Sequence, residues 1–263
     1  MYQYGLLFGR GCLVTLRRRN KGKGQNKNLL SAYGVMTSIY DGVDMQASYW
    51  HEKWKQGDIA FHQFKGSPLL KAHFSALQLP VQSRVLVPLC GKTRDIAWLV
   101  ANGHHVVEAE LYEAAVVQLF ADMEIEPKVM HLVEPDLIHY QANPNGLRID
   151  IYVGDIFRLT ETLIGKIDAV YDRAALVALP LMMREKYTGH IRNLTDNAPQ
   201  LLISFDYQQD LLPGPPYCVN RDEIVQHYGD NYRISLLASE DVKGGLKGKI
   251  AANEEVWLLQ KNT

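Results

Sequence analysis

Four short segments of this chain could take part in chemistry, because each places polar, acidic or glycine residues directly after an apolar, β-branched run. They are residues 88–93, 110–113, 154–157 and 172–176. The first, Pro88-Leu89-Cys90-Gly91-Lys92-Thr93, ends in the Gly-Lys-Thr of a phosphate-binding loop, but that loop needs another glycine five positions before Gly91, and residue 86 is leucine. With a single glycine, the segment predicts a turn at which a ligand approaches the backbone closely, without triphosphate binding.

The second segment supplies a carboxylate at the end of a predicted strand. Glu110 follows the first segment by about 20 residues, the separation at which α/β nucleoside-binding proteins place an acid on the ribose. A carboxylate can accept hydrogen bonds from both ribose hydroxyls, which supports a ribose-binding role for Glu110. The simpler alternative is that Glu110 is a solvent-exposed glutamate at the end of a strand. Since no phosphate cradle accompanies Glu110, the pattern favours an adenosine ligand without phosphates, of which S-adenosyl-L-methionine is the commonest cofactor.

The elements that must position these segments follow from hydrophobic periodicity. Short apolar runs alternate with helical stretches and short connections, which is typical of a parallel sheet with right-handed crossovers. We predict strands at residues 84–88, 105–110, 149–153, 167–171, 201–205, 232–237 and 256–260, and a hairpin within residues 129–140. The fold class is therefore α/β, a doubly wound and mostly parallel sheet with an N-terminal helical cover. In such a sheet, ligands bind beyond the carboxyl ends of the strands.

Two helical stretches precede the first strand and would form the cover. Trp50 and Trp54 lie on a short amphipathic stretch, where their residue type by itself indicates core anchors. Ser67 and Pro68 open a second helix as N-cap and first residue, positions at which these two residue types are favoured.

The composition is that of a globular protein with a basic extension at its start. Hydrophobic residues make up 47% of the 263 residues and charged residues 22%, so the chain can build a core without disulfides. Residues 1–28 hold seven Lys or Arg and no acid, whereas 21 basic and 27 acidic residues lie from residue 45 onward, a net charge of −6. We predict a basic, poorly ordered extension over residues 1–44 and one domain over residues 45–263. A transit peptide and a nucleic-acid-binding arm are the alternatives for the extension.

Cysteine usage and hydropathy predict the cellular setting. Cys12, Cys90 and Cys218 are odd in number and far apart, which fits a reducing compartment. No run of the sequence approaches the roughly 18 apolar residues of a membrane span. We therefore expect a cytoplasmic monomer with a small-molecule partner and with neither a nucleic-acid partner nor a membrane. Three histidines recur every eleven residues without cysteine or acid pairing, so no metal site is predicted.

Five ordered motifs resemble the thiopurine S-methyltransferase family and together span about residues 46–260. They are Tyr-Trp-His-Glu-Lys-Trp (49–54), Ile-Ala-Phe-His (59–62), Val-Pro-Leu-Cys-Gly-Lys (87–92), Tyr-Asp-Arg-Ala-Ala-Leu-Val-Ala (171–178) and Asp-Tyr…Pro-Gly-Pro-Pro-Tyr (206–217). The resemblance implies the Rossmann-like sheet of S-adenosylmethionine-dependent methyltransferases, in agreement with the pattern of strands and helices. It also implies in-line transfer of the cofactor's methyl group to a thiopurine-like or aromatic thiol.

The resemblance assigns ligand positions residue by residue. The cofactor positions are Trp54, Leu89, Glu110, Ile156 and Arg173, and the positions in the cover over the sulfonium and the acceptor are Trp50 and Phe61. Arg173 would hold the methionine carboxylate in a charge-assisted pair, and the Asp155-Ile156 pair would meet the adenine. An aromatic face beside the sulfonium cation would stabilise it.

Two residues depart from the family pattern near the ribose. Glu108 stands where the family has glycine, and Tyr112 stands where it has serine, so a cofactor-binding protein without turnover remains an alternative. A methyltransferase of the same fold acting on inorganic selenium, tellurium or halide acceptors is a second alternative. We predict no catalytic residue, because an aromatic thiol is already partly ionised near neutral pH and the cofactor supplies the reactivity. His62 is the nearest candidate for a base.

Overall fold

The computed structural model describes residues 48–57, 63, 65–89 and 91–262. The predicted extension over residues 1–44 and the candidate residues Phe61, His62 and Cys90 lie outside the described residues. All five predicted cofactor positions and Trp50 fall within them.

The described chain forms one nine-stranded sheet whose order confirms the doubly wound arrangement. The strands are β1 (Arg84–Pro88), β2 (His105–Glu110), β3 (Lys128–Leu132), β4 (Leu137–Ala142), β5 (Ile149–Val153), β6 (Ala169–Arg173), β7 (Gln200–Asp206), β8 (Tyr232–Asp241) and β9 (Asn253–Lys261). Their spatial order is β3-β4-β5-β2-β1-β6-β7-β9-β8. Neighbours from β5 to β7 are parallel, and β3, β4, β8 and β9 pair antiparallel with their neighbours. The predicted hairpin is β3–β4, which precedes the third strand of the parallel core.

Helices cover both faces of the sheet. They are α1, which includes residues 48–55, α2 (Pro68–His73), α3 (Asp95–Ala101), α4 (Glu113–Asp122), α5 (Glu161–Ile164), α6 (Leu181–Leu194) and α7 (Arg221–Tyr228). The predicted start of α2 is confirmed, because the Ser67 hydroxyl accepts from the backbone N–H of Leu70 at 3.2 Å and Pro68 is the first helical residue.

The core consists of two apolar layers, one on each face of the sheet. Along β1, Leu86 enters the layer that contains residues of α5, α6 and α7, whereas Val85 and Val87 enter the layer that contains residues of α2, α3 and α4. All three side chains are at most 1% exposed. Because both faces are covered, the central parallel strands are apolar runs without alternation, which is why they could be predicted.

Several strands extend beyond their predicted ends, where polar residues join the ladder, as Gln200 and Asp206 do in β7. β8 continues to Asp241 and β9 begins at Asn253, and in this extension Glu240 pairs with Glu254. β6 is shifted by two residues from its predicted range: it begins at Ala169 instead of residue 167 and ends on Arg173 instead of residue 171. Backbone pairing needs no apolar side chain at the end of a strand, so hydrophobic periodicity underestimates these lengths.

The parallel strands end at one edge, and β1 is the strand at which the sheet order reverses. The helix between β1 and β2 contributes to one apolar layer, and the helix between β5 and β6 contributes to the other. The two connections therefore diverge at β1 and leave a crevice at the carboxyl ends, which is the usual ligand site in this architecture. The four segments chosen from the sequence follow β1, β2, β5 and β6 and so meet at this edge.

Candidate cofactor site

The turn after β1 has a backbone conformation that few side chains favour. Leu89 has a φ of +50° and Gly91 a φ of +62°, and the left-handed region costs leucine roughly 1–2 kcal/mol. The Leu89 N–H donates to the Ala109 carbonyl at 2.8 Å, which holds the turn against β2, and the half-buried Leu89 side chain packs against the core. The backbone of this turn is therefore fixed at the carboxyl edge.

Glu110 joins the turn after β1 to the turn after β2. One of its carboxylate oxygens accepts from the Gly91 N–H at 2.9 Å, and the other accepts from the Tyr112 N–H at 2.8 Å. The side chain is only 6% exposed, so the simple alternative of a solvated strand-end glutamate does not describe it. Burial raises the pKa of Glu110, although the backbone hydrogen bonds oppose the shift. Each carboxylate oxygen retains acceptor capacity for a ligand hydroxyl.

Tyr112, one of the two departures from the family pattern, forms the surface on which α1 rests. Its ring stacks on Trp54 with centroids 5.8 Å apart and an interplanar angle of 20°, and the His51 ring lies 5.4 Å away. Trp50 is half-buried and meets Tyr49 edge-on at 5.3 Å. The structure thus brings Trp54 into contact with the segment that follows Glu110. An aromatic residue at position 112 is the sequence feature that could have indicated this stacking with Trp54.

Glu108, the other departure, is an internal residue of β2. It is fully buried and pairs in register with Val87 on one side and Ile151 on the other. Since residues two apart on a strand share a face, the Glu108 and Glu110 side chains lie on the same face of the sheet.

Arg173 is the last residue of β6 and pairs in register with Ile203 of β7. Its side chain is half-buried at the carboxyl edge. Burial raises the pKa of the Glu254 carboxyl on β9, and the Arg173 guanidinium opposes this rise, so the two charges interact across β7. Glu254 could not be predicted as a neighbour of Arg173, because no local pattern reports contacts between strands about 80 residues apart in sequence.

At the position assigned to adenine, the Ile156 side chain is buried in the core, so a ligand there would meet backbone atoms and not an apolar side chain. Ile156 is only 4% exposed and belongs to the core, and its carbonyl oxygen lies 2.9 Å from His190 Nε2. Asp155 is exposed, and its carboxylate accepts from the Phe157 N–H at 3.0 Å. Gly154 has a φ of +141°, and a side chain there would collide with Leu137. A ligand at this position would meet the Ile156 backbone and the Asp155 side chain.

The segment after β7 folds back onto the segment after β6. The Tyr217 N–H donates to the Val177 carbonyl at 2.7 Å, and Arg184 donates to the Cys218 carbonyl at 2.8 Å with its guanidinium 5.6 Å from the centre of the Tyr217 ring. A cleft of about 600 Å³ opens where β7 ends, lined by Asp206 and by residues of the β8–β9 connection. Two of the quoted motifs, 171–178 and 206–217, therefore touch in the fold.

Two further findings concern the described part of the chain only. It contains no group of three or more His, Cys, Asp or Glu residues arranged to hold a metal ion. None of its helices is both long and apolar enough to cross a membrane.

Solved structures define the class of fold. A methyltransferase from Anabaena variabilis, described as S-adenosylmethionine-dependent, aligns with a TM-score of 0.56 at 12% identity over 82% of this chain and 95% of its own. The 1,6-didemethyltoxoflavin-N1-methyltransferase of Burkholderia thailandensis, solved with S-adenosylhomocysteine, aligns with a TM-score of 0.55 at 14% identity over 85% and 90%. The sheet therefore has the Rossmann-like fold of the S-adenosylmethionine-dependent methyltransferases.

Sequence comparison narrows the class to a family. A family model described as thiopurine S-methyltransferase matches residues 45–262. The thiopurine S-methyltransferase of Xanthobacter autotrophicus is 46% identical over 218 residues, covering 82% of this chain and 100% of the relative. That of Teredinibacter turnerae is 46% identical over 218 residues, covering 83% and 99%. The chain belongs to the thiopurine S-methyltransferase family and is a methyltransferase enzyme, which confirms the resemblance found in its motifs.

Proposed function

We propose that this protein binds S-adenosyl-L-methionine and transfers its methyl group to the sulfur of a thiopurine-like or aromatic thiol. The observation that carries the proposal is the buried Glu110 carboxylate, which joins the turns after β1 and β2 beneath the helix that bears Trp54. A buried acid between two fixed backbone turns suits a ribose, because it accepts from hydroxyls and its geometry needs no rearrangement on binding.

Each side of the site would meet a different part of the cofactor. Glu110 would accept from the ribose hydroxyls, while the backbones of Leu89 and Ile156 would face the nucleoside. Arg173 would pair with the methionine carboxylate through its guanidinium fork. Trp54 would shield the sulfonium side from water. Trp50 and Phe61 are proposed for the acceptor cover on the strength of the family motifs alone.

The chain's own contribution to the reaction is alignment. When bound, the cofactor supplies the electrophilic methyl, and the residues of the site hold the acceptor in line and exclude water. We assign no general base, since an aromatic thiol ionises near neutral pH without help. If this is correct, log(kcat/KM) rises with pH to a midpoint that moves with the pKa of the acceptor thiol.

The direct test measures S-adenosylhomocysteine release with a panel of thiophenols, thiopurines, halides and selenium oxyanions. Turnover of thiophenols with a midpoint that follows thiol acidity supports the proposal. Exclusive turnover of halides or selenium compounds transfers the assignment to that acceptor class. Cofactor binding in calorimetry without any product contradicts enzymatic methyl transfer to these acceptors. A midpoint that stays constant across thiols indicates a protein base, and its loss in His62→Gln would identify that base.

We also propose that residues 45–263 function without residues 1–44, as a cytoplasmic monomer without nucleic-acid or membrane partners. The start of the family match at residue 45 and the acidic charge of the domain support this. A chain truncated to begin at Met45 should retain its thermal midpoint and methyl transfer. Salt-sensitive DNA or RNA binding that the truncation removes would instead indicate a nucleic-acid-binding arm.

A further inference from the structure

Asp172, the residue before Arg173, is a buried carboxylate at the functional edge of the sheet. It is 1% exposed, and because side chains alternate along a strand, it lies on the face opposite to Arg173. One carboxylate oxygen accepts from the Leu176 N–H at 3.1 Å, and the other accepts from the Tyr187 hydroxyl of α6 at 2.8 Å. The Ala175 N–H also donates to it.

These donors place Asp172 at the centre of the turn that follows Arg173. Between Arg173 and the two donating N–H groups stands Ala174, whose φ of +63° lies in the left-handed region that alanine rarely adopts. Such a conformation persists only when surrounding contacts hold it. The backbone of Arg173 is thereby fixed on one side by its pairing with Ile203 and on the other by the turn that the Asp172 carboxylate holds.

A buried carboxylate at this position lowers the stability of the folded protein when it is ionised, so stability alone does not explain it. Burial disfavours the charged form, and it raises the pKa of Asp172 to about 6. The backbone donors compensate in part, since a carboxylate accepts several N–H bonds at once whereas an apolar residue would leave those N–H groups unpaired. The gain from Asp172 is a defined turn immediately beside Arg173.

We propose that Asp172 is a positioning residue, which fixes residues 173–176 and thereby directs the Arg173 guanidinium toward the carboxylate of the cofactor. The inference rests on the proposed function, in which Arg173 meets that carboxylate. Asp172 itself touches no ligand in this account and acts through the backbone of Arg173.

The first experiment compares S-adenosyl-L-methionine with its decarboxylated analogue in calorimetry. Asp172→Asn should weaken binding of the parent cofactor roughly tenfold, the scale of one charge-assisted hydrogen bond, and change binding of the analogue less than about twofold. The matched control is Asp150→Asn, because Asp150 is equally buried but lies near the amino end of β5. That variant should lose thermal stability and retain its affinity for both ligands.

A double-mutant cycle separates positioning from general destabilisation. In an Arg173→Met background, Asp172→Asn should change cofactor affinity less than about twofold, because its route of action has been removed. A tenfold loss that persists in this background, or an equal loss for the analogue, overturns the proposal. Tyr187→Phe keeps the buried carboxylate and serves if Asp172→Asn does not fold. It should weaken the parent cofactor about threefold and spare the analogue, and equal effects on the two ligands would contradict positioning.

The wild-type measurement distinguishes failure of this inference from failure of the proposed function. If the wild-type protein binds neither ligand, the proposed function itself is wrong. If it binds the parent cofactor more tightly than the analogue and Asp172→Asn leaves that preference intact, the proposed function stands and the role of Asp172 is overturned.

Discussion

The two ends of the parallel sheet both contain buried carboxylates, but they hold them in opposite ways. At the carboxyl edge, Glu110 and Asp172 accept from backbone N–H groups of the adjacent turns, and Asp172 also accepts from the neutral Tyr187 hydroxyl. Near the amino edge, Asp150 interacts with side chains: it accepts from His139 at 2.8 Å and Gln141 at 3.0 Å, and it forms an ion pair with Arg148, whose Nε lies 2.7 Å from the carboxylate.

The pKa shifts follow this difference. Burial raises the pKa of Glu110 and raises that of Asp172 to about 6, because the neutral donors, which are backbone N–H groups and, for Asp172, the Tyr187 hydroxyl, compensate only in part. Burial acts on Asp150 in the same direction, but the bonds from His139, Gln141 and Arg148 outweigh it, and the pKa of Asp150 is lowered. The amino-edge network is thus built for stability, whereas the carboxyl-edge acids define the shape of turns at the expense of their own ionisation.

The largest effect on folding is expected from Asp150→Asn. This change removes the shared acceptor of three side chains and should lower the free energy of unfolding by about 3 kcal/mol, the range for opening a buried charged network. Urea denaturation at pH 7 measures it. Affinity for the cofactor should stay within about twofold. A stable variant with impaired cofactor binding would contradict the division between the two edges.

The pKa of Asp172 is raised, whereas that of Asp150 is lowered, so ionisation of Asp172 should destabilise the folded protein. Its folded pKa of about 6 lies above the ordinary value of 3.8, so the folded protein binds this proton more tightly than the unfolded chain. The stability of the wild type relative to Asp172→Asn should therefore fall as pH rises from about 4 to 6, by roughly 2–3 kcal/mol, and then level off. Unfolding curves of both proteins across this range measure the difference, in which other titrating groups cancel. A constant difference would show that the carboxyl does not titrate in this window.

Glu110→Gln should weaken cofactor binding by roughly 1.5–3 kcal/mol, the scale of a lost charged hydrogen bond, with a smaller effect on folding because burial already disfavours the charge. Isothermal calorimetry gives the affinity. The matched control is Glu113→Gln, an exposed neighbour whose carboxylate accepts from the Tyr140 hydroxyl at 2.7 Å. Unchanged affinity in Glu110→Gln would remove the ribose role.

The smallest effect is expected from Ala174→Gly. Glycine adopts a φ of +63° without steric cost, so the variant should be as stable as the wild type or more stable by at most about 1 kcal/mol. Thermal denaturation is sensitive enough to detect this change. Ala175→Gly is the comparison, because Ala175 is fully buried with an ordinary φ of −91° and should lose stability. Equal losses in the two variants would show that the turn is not strained at residue 174.

Much of the fold could be predicted from local pattern. The central strands are apolar and β-branched because both of their faces are covered, and the N-cap at Ser67 depends only on residues within one helical turn. The places of Leu89 and Glu110 at strand ends follow from the same periodicity, whereas β6 runs two residues past its predicted end to Arg173. The family resemblance could also be found from the sequence, because its motifs are short contiguous segments that can be recognised without tertiary contacts.

Only the tertiary structure determines which groups interact with the buried charged side chains. The donors to Asp172 include Tyr187 of α6, the charge facing Glu254 comes from β6, and Trp54 reaches the site by stacking on Tyr112. The polar ends of β8 and β9 pair although their side chains predicted no strand. Periodicity records whether a residue is buried but not which distant group is buried with it, and the state of a buried carboxylate depends on that neighbour.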